Sequence, residues 1–244
     1  MSIKSQLDDY SDGGVALDGL LAWDDSVEGT RPGILVSHSW SGRSEFEDDK
    51  ARALAELGYA AFARDLYGKG VRGSAPVENA ALMQPFLDDR ALLQRRLLQS
   101  LTTLRDQAQV DPNKVAAIGF CFGGLCVLDI ARTGEDLAGV VSFHGLLGAP
   151  GNTDGNNVKA KVLALHGWND PMATPDDVNA LAAELTGMQA DWQLHAYGNT
   201  LHAFTNPDAN DPAMGTVYSS VADRRSWICL LYTSPSPRDH LSYL

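Results

Sequence analysis

Short apolar runs recur along the chain, and the stretches between them carry helical spacing. Ile34–Ser37 (ILVS), Tyr59–Ala63, Lys114–Ile118 (KVAAI), Gly139–Phe143, Lys161–Leu165 and Trp192–Ala196 are the runs. Each is too short for a buried helix and nearly unbroken in its apolar character, as a strand covered on both faces must be. Between them, Ser44 opens a helical pattern through Ala51, Leu54, Ala55 and Leu57 that stops at Gly58. A long helical stretch from about Glu78 to Gln109 follows, with Pro85 marking a kink or boundary. Leu125–Ala131 and Asp176–Leu185 supply two more helices. Strands alternating with helices predict an α/β fold, a mostly parallel central sheet with helices on both faces. No internal repeat or linker interrupts the pattern, so residues 1–227 are expected to form a single domain.

Charge and composition narrow the function. The chain has 244 residues, is 44% hydrophobic and carries a formal net charge of -12. Such a surface repels phosphate backbones and anionic lipid heads, which argues against nucleic-acid and membrane partners. The three cysteines, Cys121, Cys126 and Cys229, have no CxxC or CxxH spacing. Neither a disulfide framework nor a metal site is expected, and no nucleotide-binding glycine motif follows a predicted strand. The opening MSIKSQLDDY lacks the apolar core of a signal peptide, and no apolar run reaches membrane-spanning length. These features predict a cytoplasmic protein, monomeric or a small homo-oligomer, acting on a small molecule without a cofactor.

In sheets of this kind ligands bind beyond the carboxyl ends of the strands. His38, Cys121, His144, His166, Asp170 and His202 all follow predicted strands. Gly119-Phe120-Cys121-Phe122-Gly123-Gly124 has the form of a nucleophile elbow, a strand-to-helix turn so sharp that its flanks must be small. At ordinary glycine usage, a cysteine gains glycine two residues away on both sides by accident about once in 200. Cys126 lies inside the apolar helix without such a frame and reads as core.

A thiol needs a base, and the base an orienting acid. In this architecture the chain order is nucleophile, acid, histidine. Asp170 lies in His166-Gly167-Trp168-Asn169-Asp170-Pro171, a loop leaving a buried strand, and His202 in the loop after the last predicted strand. His144 and His166 end strands near the same edge and read as packing residues. Asp176 and Asp177 read as a helix cap.

With GFCFGG, HGWNDP and LHAFTNP in this order, and ELGYAAFARDLYG upstream, the sequence resembles the dienelactone hydrolase family of α/β-hydrolases from about Gly33 to Trp227. The resemblance implies a carboxylic ester or lactone hydrolase with nucleophile Cys121, acid Asp170 and base His202. It also implies an oxyanion hole from the backbone N–H groups of Phe122 and Ser39. Where well-studied members carry a glutamate that pairs with the resting thiol, this chain has His38. Two arginines that hold the substrate carboxylate in the family correspond to Lys69 and Asn206 here, so one cation is lost and an ammonium replaces a bidentate fork. His38 either pairs with the thiol, shapes the pocket or is a polar loop residue. Trp40, Tyr67 and Trp168 either line an aromatic pocket or belong to the core.

After Trp227 the composition changes. Cys229–Asp239 (CLLYTSPSPRD) resembles the translation of a transposon-end sequencing adapter, so residues 228–244 are expected to be a non-native tail that cuts short a final helix begun at Val217–Trp227. Two rivals use the same residues: a thioesterase or acyltransferase with the same triad, and a non-catalytic receptor on the same fold.

Overall fold

The computed structural model describes residues 1–233, which cluster into two compact units, one ending at Ala117 and one beginning at Ile118. The first unit holds β1 (Ile3–Asp12), β2 (Val15–Asp24), β3 (Arg31–Ser37), α1 (Glu45–Glu56), β4 (Ala60–Ala63), α2 (Pro76–Asp88), α3 (Arg90–Arg105) and most of β5 (Val110–Phe120). Its strands run in the order β1-β2-β4-β3-β5. β4 pairs in parallel with β3, with Ile34 opposite Ala61, while β2 joins β4 antiparallel.

The β1–β2 hairpin has no counterpart among the apolar runs. β1 is mostly exposed and polar, as an edge strand that must resist further pairing should be. Its turn is the pair Gly13-Gly14, with φ of +55° and +85°, the left-handed conformation that a two-residue hairpin turn requires. That pair was the sequence signal for it.

α1 starts and stops where the sequence suggests. Ser44 caps it, Glu47 closes the capping box by accepting from the Ser44 backbone N–H at 2.9 Å, and Gly58 leaves at φ +99°. The long helical stretch breaks at Asp89 rather than at Pro85, which lies inside α2. Proline removes one intrahelical hydrogen bond, whereas Asp89 leaves helical backbone altogether and accepts from Leu92 N–H at 2.9 Å to cap α3.

Buried charge stitches the loops of this unit together. The Arg43 guanidinium donates to both oxygens of Asp48, at 2.7 and 2.8 Å, and to Asp18 at 3.0 Å. Arg72 reaches Asp18 at 3.3 Å and Asp65 at 3.6 Å. Burial pushes the carboxyls of Asp48 and Asp65 up from their ordinary range.

The second unit holds the last residues of β5, then α4 (Phe122–Arg132), β6 (Gly139–Phe143), β7 (Lys161–Gly167), α5 (Pro175–Gly187), β8 (Trp192–Tyr197), β9 (Asn210–Asp211), β10 (Thr216–Val217) and α6 (Ser220–Thr233). Its order is β5-β6-β7-β8, with β7 parallel to both neighbours, as the alternation of strands and helices predicts. α4 is buried along its whole length and packs on β6. β9 and β10 form a separate two-stranded antiparallel ladder after the last predicted strand. α6 runs past Trp227 through Cys229 and Leu230, and Leu230 is buried. His240 and the rest of the tail assigned from sequence lie outside the described residues. Among the described residues no helix is long and apolar enough to cross a membrane.

Replacing Arg43 by methionine would leave Asp48 and Asp18 buried and undercompensated, at a cost of about 3–5 kcal/mol in urea unfolding near neutral pH. The folded-state pKa of Asp48 lies above its unfolded value, so the deficit should shrink as pH falls through that raised value and the carboxyl takes up a proton. A deficit that is the same at neutral and mildly acidic pH would contradict this account.

Candidate active site

Cys121 is the single residue between β5 and α4, and its backbone sits at φ 56°, ψ -118°. A non-glycine residue holds so strained a conformation only when its surroundings over-determine it. Here they do. A Cβ on Gly119 would stand 2.0 Å from the Gly123 carbonyl oxygen, and one on Gly124 would stand 2.6 Å from the Gly145 Cα. Only bare backbone lets the strand turn so tightly into the helix and lets the helix start approach the end of β6. The Cys121 N–H donates to the Phe143 carbonyl at 3.0 Å and to His144 Nδ1 at 3.1 Å, and the side chain is half-buried.

The acid and the histidine come from two loops that meet backbone to backbone. A Cβ on Gly167, at the end of β7, would lie 2.6 Å from the Leu201 carbonyl oxygen, and Asn169 N–H donates to Thr200 O at 2.9 Å. This approach brings Asp170 Oδ2 to 2.6 Å from His202 Nδ1, while Oδ1 accepts from Met172 N–H at 2.8 Å. Both side chains are buried. His202 is further gripped through its backbone, donating to Gly215 O at 2.9 Å and accepting from Val217 N–H at 3.1 Å. Gly215, at φ +80°, packs so closely that a Cβ there would sit 2.2 Å from Pro171 Cγ. The turn between β9 and β10 thus braces the acid loop and the histidine loop together.

With Asp170 accepting at Nδ1, the other nitrogen of His202, Nε2, is buried without a well-formed hydrogen bond. Burial works against a charged imidazole. The negative charge of the Cys121 sulfur and of Asp170 outweighs it and lifts His202 to about 10. His202 is therefore held protonated through neutral pH, with its Nδ1–H directed at Asp170. His166, by contrast, is pushed down by burial, and neither of its ring nitrogens has a hydrogen-bond partner. Among the described residues no three His, Cys, Asp or Glu side chains gather as a metal site would need.

Cys121, Asp170, His202, Phe122 and Trp168 all belong to the second unit. Phe122 is the first residue of α4. Trp168 and Met172, which flank Asp170 in sequence, leave large parts of their apolar side chains exposed. His144, which ends a strand near the same edge and reads from sequence as packing, bonds to Cys121 and Thr205; Thr205 and Gly215 were not expected at the site, because their contacts span 61 residues of sequence or rest on close backbone packing.

His38, Ser39, Trp40, Tyr67 and Lys69 lie in the first unit, the first four of them in one cluster. His38 is fully buried and both ring nitrogens are engaged: Nδ1–H donates to Ser39 O at 2.6 Å and Nε2 accepts from Leu66 N–H at 3.2 Å. Burial and the nearby Arg64 charge hold it well below the usual histidine range, so this ring is neutral. Tyr67 packs edge-on to His38, with ring centroids 4.9 Å apart, and donates its hydroxyl to Trp40 O at 2.9 Å. Ser39 N–H donates to Oε1 of the buried Glu47 at 3.2 Å. Glu47 was legible only as the third residue of a capping box. The Lys69 ammonium is held in an ion pair with Asp9 of β1. At the other position of the lost arginine pair, the Asn206 side chain accepts from Asp208 N–H at 3.0 Å.

A profile of the dienelactone hydrolase family matches residues 17–233. A solved dienelactone hydrolase-like promiscuous phosphotriesterase from metagenomic libraries superposes with a TM-score of 0.90 at 35% identity, covering 96% of this chain and 98% of its own. A dienelactone hydrolase from Anabaena variabilis gives a TM-score of 0.63 at 25% identity over 93% of this chain and 97% of its own. Among curated relatives, "Probable 2-oxo-3-(5-oxofuran-2-ylidene)propanoate lactonase" of a Bradyrhizobium species is 27% identical over 73% of this chain and 75% of its own length.

Because His202 is lifted to about 10, its ring should stay protonated through neutral pH and titrate only near that value in a proton–nitrogen NMR titration of histidine-labelled protein, with His202→Ala identifying the signal. Gly215→Ala should bring that titration down toward the ordinary histidine range, whereas Gly148→Ala, where a Cβ meets nothing within 4 Å, should not. A His202 ring that loses its proton near the ordinary value of about 6.5 would contradict this charge arrangement.

Proposed function

The chain belongs to the dienelactone hydrolase family and is a carboxylic ester or lactone hydrolase, and on that premise we propose that Cys121 is its nucleophile, with His202 and Asp170 completing the triad. The observation that carries the reading is the 2.6 Å contact between His202 Nδ1 and Asp170 Oδ2, together with the negative charge of the Cys121 sulfur, which helps raise the same ring.

The Cys121 thiolate attacks the ester carbonyl carbon, and the negative charge moves to the carbonyl oxygen. The Phe122 amide, at the start of α4, donates to that oxyanion, a contribution typically of about 3–4 kcal/mol per donor. The His202 imidazolium gives its Nε2 proton to the departing alkoxide as the tetrahedral species collapses to a thioester. The now neutral His202 then takes a proton from water, whose oxygen attacks the thioester, and collapse returns the carboxylic acid and the thiolate–imidazolium pair. Asp170 accepts from Nδ1–H throughout, so that Nε2 is the nitrogen that exchanges the proton.

The substrate is a small ester or lactone with an apolar portion, which Trp168 and Met172 suit through their exposed side chains beside Asp170. The lactonase name of the Bradyrhizobium relative supports including an unsaturated lactone. Lys69 being tied to Asp9, and Asn206 standing where the family has a second arginine, favour a substrate without the dianionic character of dienelactone. The phosphotriesterase named among the structural relatives supports a second substrate class, neutral aryl phosphotriesters, for the same thiolate.

Initial rates on short-chain aryl esters, an unsaturated five-membered lactone and an aryl phosphotriester would test the reading. Cys121→Ala and His202→Ala should fall by about 10³-fold or more on every substrate turned over, and Asp170→Asn by about 10²–10⁴-fold. An alanine variant at Cys121 that keeps the wild-type rate would sink the nucleophile assignment.

A further inference from the structure

His144 occupies a place that the triad mechanism leaves unexplained. It follows β6 directly, its backbone lies at φ +38°, and its side chain is buried. Histidine rarely adopts such a backbone, and the surrounding structure must hold it there. Its own N–H donates to Leu165 O at 2.8 Å, at the end of β7. Its ring touches both halves of the catalytic machinery. Nδ1 lies 3.1 Å from the Cys121 backbone N–H, and Nε2 lies 2.7 Å from Thr205 Oγ1, three residues beyond His202.

These partners decide the tautomer. A backbone N–H can only donate, so Nδ1 must present its lone pair to Cys121. A neutral imidazole then carries its proton on Nε2, which donates to the Thr205 hydroxyl oxygen. The neutral form also suits a ring standing edge-on to His202, with centroids 5.2 Å apart, where a second positive charge would be repelled. Phe204 closes against it edge-on at 4.9 Å.

We infer that His144 is a positioning residue: as the Nε2–H tautomer it ties the strained backbone of Cys121 to the loop that carries His202, through Thr205. The inference rests on Cys121 being the nucleophile. Its physical content is that the Cys121 N–H has two acceptors, the Phe143 carbonyl and the His144 ring, which together hold the turn at positive φ. Thr205, whose hydroxyl oxygen accepts from Nε2–H, holds the ring in the orientation that aims Nδ1 at that amide. Nucleophile and base are thereby kept in one register, although they lie 81 residues apart (202 minus 121).

Two measurements on the full chain test this. A long-range proton–nitrogen NMR spectrum of histidine-labelled protein, with His144→Asn identifying the signal, should show the Nε2–H tautomer across roughly pH 6 to 8. Thr205→Ser, which keeps the hydroxyl, should hold kcat within about twofold, while Thr205→Val should lose about tenfold in kcat with KM nearly unchanged. His144→Asn, which tolerates positive φ and keeps an acceptor near Nδ1, should recover part of the rate lost in His144→Ala. A His144 ring protonated on Nδ1, or Thr205→Val turning over like Thr205→Ser, would overturn the inference. Should Thr205→Val fail to fold, the tautomer of the wild-type ring decides alone. Full activity in Cys121→Ala would overturn the nucleophile assignment, and the positioning role with it, whatever the tautomer.

Discussion

Gly119 and the carbonyl of Gly123 stand so close that a single methyl group would have to occupy the same space as the oxygen, 2.0 Å away. From that contact follow the tight turn out of β5, the strained φ of Cys121 and the start of α4 one residue later. A thiol raised on such a turn is held clear of its own helix and strand, and it keeps a partly exposed surface while the helix behind it is wholly buried. The strain is sustained by burial: α4 packs its whole length into the interior, and relaxing Cys121 would mean moving that helix.

The charge arrangement around Cys121 follows from the same economy of space. His202 is buried, which by itself favours a neutral ring, yet two negative partners flank it, and their attraction in a poorly screened interior prevails. His166, buried nearby without hydrogen-bond partners, stays on the neutral side because nothing comparable compensates its burial. In the first unit His38 shows the same logic. It is fully buried with arginine charge nearby, and both its nitrogens are consumed by backbone, so it is neutral and structural. Histidines that look alike in sequence, each a few residues beyond a strand, are therefore sorted by which charges and hydrogen-bond partners surround them.

The brace formed by β9, β10 and Gly215 illustrates how a loop becomes rigid enough for chemistry. The His202 backbone is bonded to the segment 215–217 on both its N–H and its C=O, and Gly215 in turn abuts Pro171, next to Asp170. Asp170 and His202 are thus fixed by main-chain contacts first, and the 2.6 Å side-chain hydrogen bond forms within a frame already set.

Much of this was written in local sequence. The apolar runs announced β3 to β8, and Ser44 and Gly58 announced both ends of α1. GFCFGG between an apolar strand and an apolar helix admits essentially one backbone path. Strand order, the acid–histidine contact and the tautomer of His144 were not written there, because each depends on groups that only folding brings together. The β1–β2 hairpin escaped the apolar pattern because an edge strand has one side in water, and the helix break fell at Asp89 because capping the next helix outweighed the missing N–H of Pro85. What the sequence determined by itself were the elements and the chemical types at their ends, since these follow from periodicity and from steric limits on single residues. Which histidine is charged and which stay neutral was decided by the tertiary structure, since a protonation state is set by neighbours in space rather than in sequence.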